Sequence, residues 1–264
     1  MWKVICFLSL SFSWKMEVIN AQSFSKRPDW IEDFRGKGKP SENNWTFYKG
    51  TFKGYSEYYT DSVENVFLKG GKLHIRAIAN RKDNRICSSG RIHTLGKVSF
   101  LYGKIEIKAK IPIGKGIFPA LWMLRTDHAK VYPYGEIDIM EYIGCFGKKQ
   151  YQANVHIVEK KNDKEFRHMH AKKVYADMTQ YHVYTLEWYK NRLVFLLDGK
   201  EVHRLEEKQM NNWPFNVPYY LIMNVAFGGR WGSSCGLDEK ILPCEMCIDW
   251  IKYYKLKESF IDLD

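Results

Sequence analysis

From about Trp30 onward, apolar positions alternate with polar ones over stretches of strand length, separated by Gly, Asn, Asp and Pro. The runs Lys72-Leu-His-Ile-Arg-Ala, Gly103-Lys-Ile-Glu-Ile-Lys-Ala-Lys, His182-Val-Tyr-Thr-Leu-Glu-Trp and Leu193-Val-Phe-Leu-Leu keep a period of two or are β-branched and aromatic over their length. That is the pattern of strands with one or both faces buried. Asp198-Gly199 predicts a tight hairpin between Phe195-Leu-Leu and a strand beginning near Glu201. Helical periodicity is weak throughout; Lys172 to Thr179 has room for a turn or two of helix. There is no internal repeat and no low-complexity tract. Many short strands with regular turns predict an all-β sandwich of two packed antiparallel sheets.

At 264 residues the chain is long enough for one large core and short for two domains. Apolar residues at 45% and charged residues at 27% are an ordinary globular balance. The 16% of aromatic residues fits either a large β core or a groove lined with rings for sugar faces. A net charge of +11 admits nucleic acid, an anionic membrane or an acidic polysaccharide as partner. No recognition helix, no Cys/His finger spacing and no dense Lys/Arg block accompanies it, so no nucleic acid is expected. A basic solvated surface is the plain account, with room for a sulfated or otherwise acidic glycan.

Lys3 precedes an apolar run from Val4 to Trp14, and Ile19-Asn20-Ala21 ends in a small residue before Gln22. This predicts a signal peptide over residues 1–21 and an exported protein, periplasmic, cell-surface or secreted. The run is too short to span a bilayer and no later stretch is long enough, so no transmembrane segment is expected. Cys87, Cys145, Cys235, Cys244 and Cys247 follow, an odd number that leaves at least one unpaired within the chain. Cys235 with Cys244 or Cys247 would close a small loop in an oxidising compartment. Cys244-x-x-Cys247 lacks a second ligand pair for zinc.

Candidate chemistry is concentrated in Gly135-Glu136-Ile137-Asp138-Ile139-Met140-Glu141. In a regular strand Glu136 and Asp138 share one face while Glu141 has the wrong parity and would face the opposite sheet. Burying a lone carboxylate there would be costly. A β-bulge at Ile139-Met140 returns Glu141 to the face of Glu136 and Asp138. Three carboxylates on one face repel, so at least one is expected to stay protonated near neutral pH. A proton-bearing acid beside an ionised one is what acid/base glycoside cleavage needs; a wet acidic strand or a calcium site is the alternative from spacing alone.

The segment resembles the signature of glycoside hydrolase family 16, in the laminarinase-like branch that carries the extra bulge residue. Ser89-Gly-Arg-Ile-His-Thr-Leu-Gly-Lys, Tyr102-Gly-Lys-Ile-Glu-Ile-Lys-Ala-Lys-Ile-Pro and Pro119-Ala-Leu-Trp-Met-Leu look like the blocks that precede that signature. Tyr58-Tyr-Thr-Asp, Glu64-Asn-Val, Trp213-Pro-Phe, Met223-Asn-Val-Ala-Phe-Gly-Gly and Ile248-Asp-Trp-Ile-Lys-Tyr-Tyr extend the resemblance from roughly Trp30 to Lys255. It implies a β-jelly roll with a concave substrate cleft, occupying residues 22–264 as a single catalytic domain. Glu136 would be the nucleophile, Glu141 the acid/base and Asp138 the residue tuning both, in a retaining endo-β-glycosidase.

Trp122 matches the tryptophan that shapes the cleavage subsite, with a core ring as the alternative. Trp231, in a loop, would stack on a pyranose face. Arg91 matches a substrate contact, with a surface ion pair as the alternative. His156 would line the groove or sit satisfied in the core, and Asn224 and Asn65 are further carry-overs. Phe118 stands where the family often has Trp, and Gly54-Tyr-Ser-Glu57 departs from a Gly-Asn-Glu-like block, which bears on sugar identity. The default substrate is β-1,3-glucan or mixed-linkage β-glucan. The alternatives are an endo-β-1,4-galactosidase of host or algal galactans and a lectin-like sandwich, the latter having no need of both Glu136 and Glu141. No cofactor is required, a structural calcium at Asp33, Asp249 and the Gly71 carbonyl is allowed by the resemblance, and a monomer is expected.

Overall fold

The alternating runs assemble into a β-jelly roll. The computed structural model describes residues 19–82, 84–127 and 131–261. One sheet runs in the order Lys164–Met169, Gln150–Lys161, Tyr134–Glu141, Ile117–Arg125, Tyr219–Phe227, Arg91–His93, Thr46–Phe47, with Lys172–Tyr175 also paired to Gln150–Lys161. The other runs Lys200–Glu206, Arg192–Leu197, His182–Trp188, Gly103–Lys110, Cys244–Tyr254, Lys72–Lys82, Arg85–Ser89, Glu57–Tyr59. Among the described residues, pairing is antiparallel apart from Glu57–Tyr59 with Arg85–Ser89, which is parallel.

The inner faces make one core. Leu121, Met123, Ile137, Leu221 and Met223 from the first sheet share it with Leu73, Ile75, Ile105, Ile107, Leu186 and Ile248 from the second, all fully buried. Each such side chain contributes roughly 1.5–3 kcal/mol, so the polar residues alternating with them have no choice of face. Asp198 (φ 50°) and Gly199 (φ 78°) both take positive φ in the hairpin joining Arg192–Leu197 to Lys200–Glu206, the geometry a two-residue turn of this hand requires.

Two expectations need correction. The stretch expected to offer a helical turn begins instead with the strand Lys172–Tyr175, docked on Gln150–Ala153 with Val174 buried. Pairing to an available edge overrides a weak local preference. Cys235 is joined to Cys145, 90 positions away, and not to Cys244 or Cys247. Those two sit in Cys244–Tyr254, whose backbone is held by both neighbours, and they are free thiols, as is buried Cys87. The disulfide ties the loop after Tyr134–Glu141 to the loop after the short helix Gly229–Gly232.

The run Val4 to Trp14 of the expected signal peptide lies outside the described residues. The expected cut after Ala21 falls within the strand Ile19–Phe24, paired to Leu256–Ile261. Among the described residues no helix is long and apolar enough to cross a membrane.

Candidate active site

The acidic strand Tyr134–Glu141 is irregular where its parity fails. Against Ile117–Arg125, Glu136 lies opposite Leu124, Asp138 opposite Trp122, Met140 opposite Leu121 and Glu141 opposite Ala120. Ile139 has no opposite number, and the register to Gln150–Lys161 slips over the same stretch. Ile137, Ile139 and Met140 go into the core. The two glutamates therefore face partners four positions apart, an even spacing, with Asp138 between them. Gly135 precedes the cluster because a Cβ there would lie 2.3 Å from Tyr219 Oη and 2.7 Å from Phe215.

Glu136, Asp138 and Glu141 open into one cleft of about 310 Å³. Its floor includes Trp122, whose Nε1 donates to Asn224 Oδ1 at 2.8 Å, and Asn224 Nδ2 in turn reaches Tyr59 Oη at 3.4 Å. Arg91 also lines it. The Arg91 guanidinium lies over the rings of Trp122 and Phe52 at 4.9 Å each and Tyr48 at 5.3 Å, and its buried Nε has no hydrogen-bond partner. Stacked between rings, it keeps its plane fixed and its edge available to a ligand. Phe118 lines the same cleft, and Trp231 backs it, the rings 6.5 Å apart and inclined by 30°. Trp231 stands on the helical turn Gly229–Gly232, half-buried, rather than exposed in a loop.

Electrostatics separate the three acids. Gln152 Nε2 and Asn154 Nδ2 both donate to Glu141 Oε2, at 3.0 and 3.4 Å, favouring its ionised form against a burial that raises its pKa. Glu136 is pushed up by burial first, drawn back by Arg167, whose Nη1 is 3.8 Å away, and pushed up again by Glu141. Asp138, 2% exposed at its side chain, is raised furthest, by burial and then by both glutamates, and no donor reaches its Oδ2. Burial and the neighbouring carboxylates thus favour the protonated form of Asp138, and burial favours it at Glu141 as well.

His156 is part of this arrangement. Val155 N donates to Asn154 Oδ1 at 2.8 Å, which fixes the amide so that Nδ2 donates to His156 Nε2 at 2.9 Å. His156 Nε2 is then an acceptor, 3.4 Å from Asp138 Oδ2, and the ring is neutral, its pKa pushed down to about 4 by burial first and then by Arg167 and His170. Glu136, Asp138 and His156 converge closely enough to hold a cation, but the Asn154 N–H already covers the imidazole lone pair.

Of the residues read from sequence, the cleft collects Glu136, Asp138, Glu141, Arg91, Trp122, Asn224 and Phe118, with His156 and Trp231 directly behind it. Asn65 is corrected. It is 1% exposed and spends its amide on Thr60 Oγ1, the Arg76 carbonyl and Ser88 Oγ, so it braces the turn before Val66–Lys69 against Lys72–Lys82 and Arg85–Ser89 instead of meeting substrate. The calcium set fits a hard cation poorly. Asp249 already lies between Lys108 Nζ at 2.9 Å and Lys72 Nζ at 3.7 Å, and Asp33 is paired with Arg35 at 2.9 Å. The sequence pattern does not single out Gln152, Asn154, Arg167, Tyr55, Tyr59 and Phe52. For the first two the signal was available, as they alternate with His156 on the strand beside the acids.

The profile of glycosyl hydrolases family 16 matches residues 51–252. A β-glucanase of Rhodothermus marinus is 32% identical over 251 residues, covering 87% of this chain and 85% of its own length. A keratan-sulfate endo-1,4-β-galactosidase of Sphingobacterium multivorum is 28% identical over 242 residues, covering 86% of this chain and 54% of its own. The crystal structure of the laminarinase from Rhodothermus marinus superposes with a TM-score of 0.78 at 28% identity, covering 91% of this chain and 99% of that one.

Proposed function

The chain belongs to glycosyl hydrolases family 16, and on that premise we propose that it is an endo-β-1,3-glucanase in which Glu136 attacks the anomeric carbon and Glu141 moves the proton. It is a retaining glycoside hydrolase. The observation that carries the two-carboxylate chemistry is the slip at Ile139, which sets Glu136 and Glu141 on one face with Asp138 between them; the family resemblance supplies which of the two attacks.

In the first step a Glu136 oxygen forms a bond to the anomeric carbon as the glycosidic C–O bond breaks, and the departing oxygen takes a proton from Glu141. Gln152 and Asn154 hold Glu141 Oε2, which leaves Oε1 to carry that proton. In the second step Glu141 takes a proton from water, the water oxygen bonds the anomeric carbon and Glu136 leaves as carboxylate. Asp138, protonated between the glutamates, offsets their repulsion and can donate to Glu136 as it leaves. Trp122 and Arg91 supply a ring and a planar donor edge for the sugars.

Arg167 is a positioning residue for this chemistry. Glu136 must be ionised to attack, and Arg167 lowers its pKa against burial. Arg167→Ala is expected to raise that pKa and move the acid limb of the kcat/KM profile to higher pH. Activity lost at low pH should be recovered as pH rises above the limb, and Arg167→Lys should keep most of the wild-type profile. A pH-independent loss in Arg167→Ala would show instead that the residue acts on substrate binding.

The substrate is tested with purified laminarin, mixed-linkage glucan, keratan sulfate and unsulfated galactan, with products resolved by chain length. Oligosaccharides from laminarin early in the reaction are expected. A second reading, an endo-β-1,4-galactosidase, has the keratan-sulfate enzyme among its relatives and a half-exposed Arg167 beside Glu136 in its favour. Cleavage of the galactans alone would replace the first reading with this one.

A further inference from the structure

On the face of the second sheet that points away from the cleft, His74, Glu245 and Cys247 bring three different donor atoms together. Cys247 lies directly opposite His74 where Cys244–Tyr254 pairs with Lys72–Lys82, and Glu245, two residues earlier, projects from the same face. Leu73, Ile75, Met246 and Ile248 between them are fully buried, so the core holds the three on the outer surface, where each is partly covered.

The triangle has the dimensions of one face of a coordination tetrahedron. His74 Nδ1 is 3.0 Å from Glu245 Oε1, and Cys247 Sγ is 3.4 Å from His74 Nδ1 and 3.6 Å from Glu245 Oε1. Zinc with ordinary Zn–N, Zn–O and Zn–S lengths in tetrahedral geometry gives N···O, N···S and O···S edges of about 3.3, 3.6 and 3.5 Å. Each observed edge agrees within about 0.3 Å of those values.

The surroundings orient the donors. His74 Nε2 is 3.2 Å from the Lys69 carbonyl and can only donate there, which turns the Nδ1 lone pair of the neutral ring toward Glu245 and Cys247. The ring lies flat on Phe67, the centroids 4.8 Å apart and the planes inclined by 7°. Arg76 takes the other Glu245 oxygen, Nε at 2.8 Å and Nη2 at 2.7 Å, leaving Oε1 for the triangle. A neutral Nδ1 facing a carboxylate oxygen at hydrogen-bond distance places two acceptors against each other. A second proton on the ring resolves that conflict, and so does a metal ion.

We propose that His74, Glu245 and Cys247 form a three-ligand zinc site, separate from the hydrolytic cleft, with its fourth position open to water. Imidazole, carboxylate and thiolate together select a borderline-soft ion over calcium or magnesium. On binding, the Cys247 Sγ–H proton is released to solvent as the Zn–S bond forms, and no electron changes hands. Arg76 and Lys110, the latter opposite Cys247 on Gly103–Lys110, oppose a divalent ion, so binding is expected to be weaker than at a closed four-ligand site.

Cobalt(II) is the probe, since it takes zinc's ligands and shows thiolate ligation as a charge-transfer absorption in the near ultraviolet. The chelator-treated full chain should develop that band to saturation at one equivalent and lose it when zinc is added. Cys247→Ser should abolish the band, and His74→Ala and Glu245→Gln should each weaken cobalt binding by about tenfold or more. Polysaccharide hydrolysis should be unchanged in all three variants. A wild-type chain without the band overturns the proposal, whatever the variants do. So does a band that survives in Cys247→Ser and disappears in Cys244→Ser, or one unaffected by both His74→Ala and Glu245→Gln, in which case His74 is simply the protonated partner of Glu245.

Discussion

Glu136→Ala is expected to lower polysaccharide hydrolysis by roughly four to six orders of magnitude, the scale on which loss of a covalent nucleophile is felt. The fold should survive, because the side chain leaves a position where burial and Glu141 already oppose its charge. The melting temperature should be unchanged or raised. Azide should restore part of the activity by entering the space left beside the anomeric carbon. Attack from that side happens once, so a β-linked substrate yields a glycosyl azide of inverted configuration. The product's stereochemistry is read by NMR. An azide product of retained configuration from this variant would place the nucleophile elsewhere, and near-wild-type turnover would remove Glu136 from the chemistry.

That prediction rests on a strand whose irregularity is legible in the sequence itself. Three acids in Glu136–Glu141 cannot share a face at period two, and the core's demand for Ile137 and Met140 left one place for the extra residue; Ile139 occupies it. The alternating runs and the Asp198-Gly199 turn were legible for the same reason, since burial and positive φ act locally on residue type. What escaped depends on neighbours distant in sequence. Gln152 and Asn154 define the state of Glu141 only because Gln150–Lys161 pairs beside it. Arg167 reaches Glu136 from a second strand beyond that one. Asn65 carried a family position into a site where it faces the turn, and its three hydrogen bonds could not be read from its identity. Cys145 and Cys235 meet because two loops cross the same end of the sandwich, which spacing does not encode. The same limit separates His74 from Cys247, which only the pairing of their two strands brings together.

Glu141→Ala should separate the two steps that Glu136→Ala removes together. Without the proton that Glu141 supplies, a sugar leaving group departs as an alkoxide, and polysaccharide cleavage should fall by roughly two to four orders of magnitude, the usual contribution of general acid catalysis. An aryl glycoside with an activated leaving group needs no such proton, so its first step should proceed at close to the wild-type rate. The covalent intermediate then accumulates, because no base remains to activate water, and a burst of phenol should precede slow turnover. Azide needs no base. It should attack the intermediate from the face the leaving group vacated and give a glycosyl azide of retained configuration, the opposite of the product expected from Glu136→Ala. The hydrogen bonds from Gln152 and Asn154 bear on the same point. Their donors hold Glu141 Oε2 at 3.0 and 3.4 Å, and after truncation they face solvent in an open cleft rather than a buried void, so the variant should remain folded. Inverted product from Glu141→Ala together with retained product from Glu136→Ala would exchange the two roles. Equal loss on activated and unactivated substrates, with no burst, would mean that Glu141 does not move the proton.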